Sequence, residues 1–148
     1  MFFLIKKSNK RNELYYIFAT EFQINLFDSC EYLFIDAAFK MNPEGFYYIL
    51  NVIEYLSNKS ISFSLMTIPI SKTFEIYYDI FTSVKKLLND RIKIKDLKNI
   101  RIVTYFEESL RKYIKLIFPD CILDGCYFHF TKILWGKVKE IYHAKKRF

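Results

Sequence analysis

The apolar run at residues 31–39 constrains the fold more than any other segment, because its side chains are almost all apolar until Asp36 interrupts it. Such a run is typical of a strand buried in the interior of a sheet. Burial of a lone carboxylate is unfavourable unless it is paired, hydrogen-bonded or bound to a metal ion. Asp36 is therefore a candidate for chemistry. The structural alternatives are that it caps Ala37 or pairs with Lys40.

Turn residues divide the first half of the chain into three strands. The strands are predicted at residues 31–39, 46–55 and 61–68, and the turns between them at residues 42–45 and 58–60. Because both turns are short, the three strands should form an antiparallel meander.

Helices and strands alternate in the second half. Ser71 is predicted as the N-cap of a helix that closes near Asn89, since apolar residues between them recur at helical spacing. A strand at residues 100–106, a helix that Pro119 stops and a short strand at residues 121–123 follow. The apolar residues of the last helix share one face: Phe130, Ile133, Leu134, Val138, Ile141 and Tyr142.

The predicted fold is α/β, with the element order β-β-β-α-β-α-β-α and a mixed sheet. A three-strand antiparallel meander followed by parallel α/β units is the RNase H-like plan, in which the first and fourth strands are neighbours at the centre of the sheet. Residues 1–29 are predicted as an N-terminal leader, with a short strand at residues 14–20 and a helical turn at residues 21–28. Residues 30–148 are predicted as the core.

Composition and charge indicate the class of protein and of partner. Hydrophobic residues make up 52% of the chain, which is enough to form a core and argues against disorder. The net charge of +7 and the isoelectric point near 9.2 favour polyanionic partners, nucleic acid above all. AT-rich codons, which enrich lysine, are the alternative explanation of this charge.

Cysteine content and apolar patterning indicate a soluble intracellular protein. The three cysteines, Cys30, Cys121 and Cys126, are too few for a disulfide framework. No apolar run reaches the ~18 residues of a membrane span. The first residues do not follow the order of a secretory signal. No membrane partner is therefore expected.

Five short segments combine into a recognisable pattern. Residues 17–20 read IFAT, residues 34–40 read FIDAAFK, and residues 65–77 begin with LMTIP and end with KTFEIY. Residues 118–120 read FPD, and residues 125–130 read GCYFHF. In order and spacing, these segments resemble the FAT…IDATFK, LLP…KTEETY and FP…GCxFHF signatures of Mutator-like (MULE) transposase domains.

The resemblance extends over roughly residues 14–142 and implies a catalytic site. The family has an RNase H-like core in which two Asp and one Glu hold Mg²⁺ or Mn²⁺. Paired ions of this kind activate the attacking oxygen and stabilise the leaving oxygen in phosphodiester transfer. Asp36 matches the first carboxylate of the family, and Tyr105 stands where the second Asp belongs. A neutral phenol is a poor ligand for Mg²⁺.

The third carboxylate of the family would lie beyond residue 148, so the resemblance implies a C-terminally incomplete and inactive domain. The chain could alternatively be part of a longer protein that supplies this Glu. Glu107 is a candidate substitute for the second Asp, since it lies two residues past Tyr105. The alternative is that Glu107 begins a helix, where its charge favours the helix dipole.

Cys126 and His129 form a Cys-x-x-His pair with three readings. The pair could contribute to a zinc site, although Cys121 and His143 lack diagnostic spacing as further ligands. In the family, the His lies near the active site and could contact a DNA phosphate. The structural alternative is a buried Cys and a hydrogen-bonded His.

Basic residues near the C-terminus form a candidate DNA contact: Lys132, Lys137, Lys139, Lys145, Lys146 and Arg147. Binding through phosphates would be sequence-independent and salt-sensitive. The alternative is a solvated helix face with cations near the helix C-terminus. The functional expectation is thus an inactive transposase-derived domain, nuclear by resemblance. A non-enzymatic DNA-binding or protein-interaction module is the second expectation.

Overall fold

The computed structural model of the chain describes residues 2–7, 14–27, 30–38, 42–55, 61–71, 73–92 and 100–145. Within these ranges the chain forms one seven-stranded mixed sheet and four helices, which confirms the predicted α/β class. In chain order the elements are β1 (Phe2–Lys7), β2 (Tyr15–Thr20), α1 (Glu21–Leu26), β3 (Tyr32–Ala38), β4 (Ile49–Tyr55), β5 (Ile61–Pro69), α2 (Phe74–Ile92), β6 (Arg101–Thr104), α3 (Glu108–Ile117), β7 (Ile122–Gly125) and α4 (Tyr127–Lys145). Among the described helices, none combines the length and the apolar character that a membrane-spanning segment requires.

The sheet has the strand order β1-β2-β5-β4-β3-β6-β7. Strands β3, β4 and β5 follow one another in the chain and pair antiparallel. β3 also pairs with β6, and β6 with β7, both in parallel. β3 therefore lies where the antiparallel and parallel halves of the sheet meet.

The N-terminal residues belong to the same sheet. β2 pairs antiparallel with β5, and β1 pairs with β2 at the edge. Tyr15, Ile17 and Ala19 alternate into the core, and a capping box between Thr20 and Gln23 starts α1. The predicted leader thus contributes strands and buried side chains to the unit that the core forms.

Helices α1, α2 and α3 cover one face of the sheet, which we call the covered face. Alternate strand residues are buried on this face, among them Ile35, Val52 and Ile102. They form a single core with the apolar stripes of α2 and α3. The Tyr15 hydroxyl lies 2.9 Å from Ser83 Oγ on α2 and anchors the helix to the sheet.

The opposite face of the sheet, the open face, carries partly exposed apolar side chains. Tyr32, Phe34, Ile53 and Val103 alternate with the buried positions and keep contact with solvent. The rings of Tyr32 and Phe34 stack with centroids 6.4 Å apart. In the described part of the chain, the first turn of α4 approaches this face at one end, and the Phe46 ring packs against Tyr16 of β2. The prediction that residues 31–39 form a strand buried on both sides is therefore wrong.

Several predicted boundaries also differ from the structure. α2 begins at Phe74, and its backbone is capped by Thr73, whose Oγ1 accepts from the Ile76 amide at 3.4 Å, so Ser71 is not the N-cap. The strand predicted to end at residue 106 ends at Thr104, since the next residues turn into α3. The turn at residues 42–45 is confirmed by Gly45, whose positive φ of 82° suits only a residue without a side chain. The predicted turn at residues 58–60 lies outside the described residues.

The last helix differs most from expectation. Its six apolar residues lie in α4, but all of them are about half exposed instead of packed on one buried face. From residue 132 to residue 143 every side chain of α4 is exposed.

Candidate functional site

Asp36 lies on the open face of the sheet, near the C-terminal end of β3. Its side chain is 53% exposed, because Leu33 and Ile35 occupy the buried positions of the strand. The expectation that this carboxylate is buried is therefore wrong. Solvent can stabilise its charge, so Asp36 needs no partner to persist in this position.

The ion-pairing neighbour of Asp36 among the described residues is His129. The distance from His129 Nε2 to Asp36 Oδ1 is 3.7 Å, which allows an ion pair when the imidazole is protonated but is too long for a good hydrogen bond. His129 Nδ1 is buried and has no hydrogen-bond partner among the described residues. Lys40, the alternative partner of Asp36, lies outside those residues.

A cavity of about 360 Å³ lies between the open face and the first turn of α4. Phe34 forms the floor, and its register neighbours Ile53 on β4 and Val103 on β6 flank it. Cys126, Phe128 and His129, at the start of α4, form the wall of the cavity. Asp36 also lines the cavity. The volume is at the lower end of the range of small-molecule pockets. Sequence reasoning missed this cavity, since no local pattern reports which strands become neighbours.

Tyr105 directly follows β6, and its side chain has one neighbour on the open face and one on the covered face. Its ring lies beside the His129 imidazole, with centroids 5.8 Å apart. Its hydroxyl lies 3.3 Å from the hydroxyl of Tyr77, which is fully buried on α2. Burial raises the pKa of Tyr105 well above its ordinary value. The phenol therefore stays neutral and offers no anionic oxygen beside Asp36.

Glu107 accepts a hydrogen bond on the covered face. It is the N-cap residue of α3, and its side chain makes no capping hydrogen bond. The Tyr77 hydroxyl donates to Glu107 Oε2 at 3.1 Å. Burial, followed by the neighbouring Tyr105, raises the pKa of Tyr77. Glu107 thus lies one residue before the first helical residue, Glu108, close to the predicted helix start, and its carboxylate accepts from this buried hydroxyl.

Tyr48, Tyr77, Tyr105 and Glu107 form what we call the tyrosine cluster. The rings of Tyr48 and Tyr77 have centroids 6.1 Å apart, and burial also raises the pKa of Tyr48. Three neutral phenols and one carboxylate share hydrogen bonds here, with Tyr48 and Tyr77 fully buried and Tyr105 and Glu107 partly buried. Tyr105, which stands where the resemblance has its second Asp, is thus partly buried and packs against the core.

The side chains near Asp36 do not fit a pair of Mg²⁺ or Mn²⁺ ions. Such ions prefer carboxylate and other oxygen ligands, whereas Asp36 is accompanied by an imidazole and a thiol. Within the described ranges, no three His, Cys, Asp or Glu side chains come close enough to hold a metal ion. Of the further zinc candidates, Cys121 is buried in the core and His143 is exposed near the end of α4.

The basic candidates on α4 are exposed but partly engaged with their neighbours. Lys137 Nζ donates to Glu140 Oε2 at 2.9 Å, and Lys139 Nζ lies 5.5 Å from the centre of the Trp135 ring. Lys132 is exposed. The remaining candidates lie outside the described side chains: Lys145, Lys146 and Arg147.

The chain was compared with known proteins at the level of families and of single sequences. Neither the protein-family models nor the curated proteins give a match.

Proposed function

We propose that the chain is a transposase-derived domain of the RNase H-like class, related to Mutator-like (MULE) transposases, which does not itself transfer phosphodiesters. The observation that carries this proposal is the place of Asp36. It lies near the C-terminal end of the strand that pairs antiparallel with β4 and parallel with β6. In an RNase H-like core the first catalytic Asp occupies the corresponding position.

The register of β3 and β6 supports the same proposal. Ile35 pairs with Thr104 in the parallel ladder, so Asp36 and Tyr105 are the next residues along two neighbouring strands. The family places its first and second carboxylates at such a pair of strand ends. In this chain one of the two positions carries a carboxylate and the other a phenol.

The contacts of Tyr105 and Glu107 support inactivity. A two-metal mechanism needs anionic oxygens on both sides of the ions. The phenol of Tyr105 is neutral, and Glu107 accepts a hydrogen bond from buried Tyr77. To serve beside Asp36, the Glu107 carboxylate would have to give up the hydrogen bond that it accepts from the buried Tyr77 hydroxyl. Breaking a hydrogen bond of this kind costs about 1–3 kcal/mol.

A metal titration tests the proposal. The wild-type chain, Asp36→Ala, Tyr105→Asp and the uncharged control Tyr105→Asn are titrated with Mg²⁺ and Mn²⁺. Thermal stability and cleavage of supercoiled DNA are measured. The wild type is expected neither to gain stability through Asp36 nor to cut DNA. Tyr105→Asp, but not Tyr105→Asn, should gain stabilisation by metal that disappears in the double variant with Asp36→Ala.

Two results would contradict this proposal in different ways. Asp36-dependent DNA cleavage by the wild type would show a working nuclease and refute inactivity. Identical responses of Tyr105→Asp and Tyr105→Asn to metal would remove the support for a former two-carboxylate site.

The net charge favours a second function, a non-enzymatic module that binds DNA through phosphates. Exposed Lys132, Lys137 and Lys139 on α4 would bind the phosphates, although two of them already have partners. The affinity for duplex DNA should then fall steeply as salt rises, and replacing one phosphate-binding Lys by Ala should reduce the slope by about one. Absence of binding at low salt would exclude this function.

A further inference from the structure

Helix α4 has the apolar pattern of a core helix, but the residues that the structure describes do not bury it. Leu134, Val138, Ile141 and Tyr142 follow the i, i+4, i+7, i+8 spacing of a buried stripe, and Trp135 widens the stripe. These five side chains are between 49% and 60% exposed. Exposed apolar patches of this extent mark interaction sites.

The open face of the sheet is a second apolar surface, and the described residues cover it only in part. Phe34, Ile53 and Val103 lie side by side across three neighbouring strands, and Met66 on β5 extends the surface. A sheet in an α/β domain normally buries such a face under a helix. In the described part of the chain, α4 covers only the end of this face near Asp36, through its first turn.

The two surfaces are complementary: both are apolar, one is a helix and the other a sheet face, and their flanking charges are opposite. One is a helix with a wide apolar stripe, and the other is a sheet face that lacks a helix. Lys132 and Lys139 flank the stripe of α4, and the exposed carboxylate of Asp36 lies on the open face. Because α4 leaves the sheet after one turn, its stripe does not reach the open face of its own copy.

We propose that two copies of this chain associate reciprocally, with α4 of each copy packed on the open face of the other. The exchange pairs the same two surfaces twice and closes a two-fold dimer. With about half of each of five large side chains exposed, α4 offers on the order of 500 Å². The sheet face, whose side chains are less exposed, adds a smaller area. Together these areas reach roughly the 800 Å² per partner of a stable interface. This inference does not rest on the proposed function.

The molar mass and the fluorescence of Trp135 test the proposal together. Trp135 is the single Trp of the chain and lies beside the stripe, so its emission reports whether α4 is covered. Sedimentation over a range of concentrations should give twice the 18.0 kDa of one chain, with emission at short wavelength in the dimer. A monomer at every concentration, whether its Trp135 is exposed or covered, overturns the proposal. So does a dimer in which Trp135 remains exposed.

Charge-introducing variants locate the interface. Val138→Lys on α4 and Ile53→Lys on the open face should each weaken the dimer at least tenfold, and Met66→Lys provides a second sheet variant. Leu116→Lys is the matched control, since Leu116 is an exposed apolar residue on α3, away from both surfaces. Far-ultraviolet circular dichroism verifies that each variant is folded. A dimer unaffected by Val138→Lys, or weakened equally by Leu116→Lys, overturns the proposal.

A mixing experiment separates reciprocal packing from direct pairing of two α4 helices. The Val138→Lys chain keeps an intact sheet face, and the Ile53→Lys chain keeps an intact α4. Their mixture should form a heterodimer through one restored helix-on-sheet interface, tighter than either variant forms alone. If the mixture associates no better than the separate variants, helix-on-sheet exchange is excluded.

Discussion

The covered and open faces of this sheet are built from the same strands but have different chemistry. On the covered face, three helices bury a continuous apolar core together with the tyrosine cluster. On the open face, Asp36, His129 and Cys126 line a small cavity that solvent reaches. The comparison teaches that a strand residue acquires its environment from the layer above it, since neighbours in sequence lie on opposite faces.

Tyr105 joins the two faces. Its ring contacts His129 at the open side, while its hydroxyl contacts Tyr77 on the covered side. A phenol at this position therefore adds to core packing where a carboxylate would have been a charged group at the edge of the core. The substitution that removes a metal ligand in the resemblance is, in this structure, a packing residue.

Truncation of a ring on each face gives the largest expected difference. Phe81 is 2% exposed on α2, so Phe81→Ala should lower the free energy of unfolding by about 3–5 kcal/mol. Phe34→Ala on the partly exposed open face should cost about 2 kcal/mol or less. Urea unfolding at concentrations where the chain is monomeric measures both. Equal losses would mean that the open face is as well covered as the other.

Gly125 is the last residue of β7, and its substitution is expected to have the next largest effect. A Cβ on Gly125 would lie 2.4 Å from Phe106 Cζ, so the ring must move in Gly125→Ala. Because the Phe106 ring is 44% exposed and can shift, a loss of about 1 kcal/mol is expected, at the low end of overpacking costs. Gly136→Ala, which meets nothing within 4 Å inside α4, should instead stabilise the chain by about 0.5–1 kcal/mol. Thermal unfolding measures both variants, and a change in stability of the same sign for Gly125→Ala and Gly136→Ala would refute this contrast.

The tyrosine cluster predicts loss of stability at alkaline pH. Tyr48, Tyr77 and Tyr105 have pKa values raised by burial in the folded chain, whereas in the unfolded chain they titrate near a pKa of about 10. The unfolded state therefore binds fewer protons above pH ~10. Stability is full below that pH and falls as pH rises, by up to about 1.4 kcal/mol per pH unit for each Tyr.

Tyr77→Phe removes one titrating group from the cluster and should flatten this slope in urea unfolding across the alkaline range. Tyr127→Phe is the control, because the Tyr127 side chain is 79% exposed on α4. A slope that responds equally to both variants would place the alkaline loss outside the cluster.

Thiol reactivity should distinguish the environment of Cys30 from that of Cys126, with the smallest effect on the stability of the chain. Burial raises the pKa of Cys30 to about 12, with nearby Glu54 adding to the shift. At pH 8 its thiolate fraction is then about one in 10⁴, so alkylation should be slow. Cys126 lines the cavity and should react first in native labelling followed by mass spectrometry. Labelling of Cys30 ahead of Cys126 would contradict the assigned environments.

Sequence patterns predicted those structural elements that depend on residues close together in the chain. The turn at Gly45 and the helix that ends before Pro119 depend on residues close in sequence, and the structure has both. Candidate residues around Asp36 were also found, because a carboxylate in an apolar run stands out. Their mutual geometry was not predictable, since it depends on strand pairing between distant segments.

The sequence by itself determined the α/β class, the succession of most elements and the presence of a carboxylate near the end of a central strand. Only the tertiary structure decided that Asp36 is exposed, that Tyr105 and Glu107 turn toward Tyr77, and that α4 keeps its apolar stripe in solvent. The physical reason is that periodicity specifies which residues share a face, whereas burial depends on whether another layer covers that face. Among the described residues, the covering layer is present on one side of the sheet and is made only in part by α4 on the other.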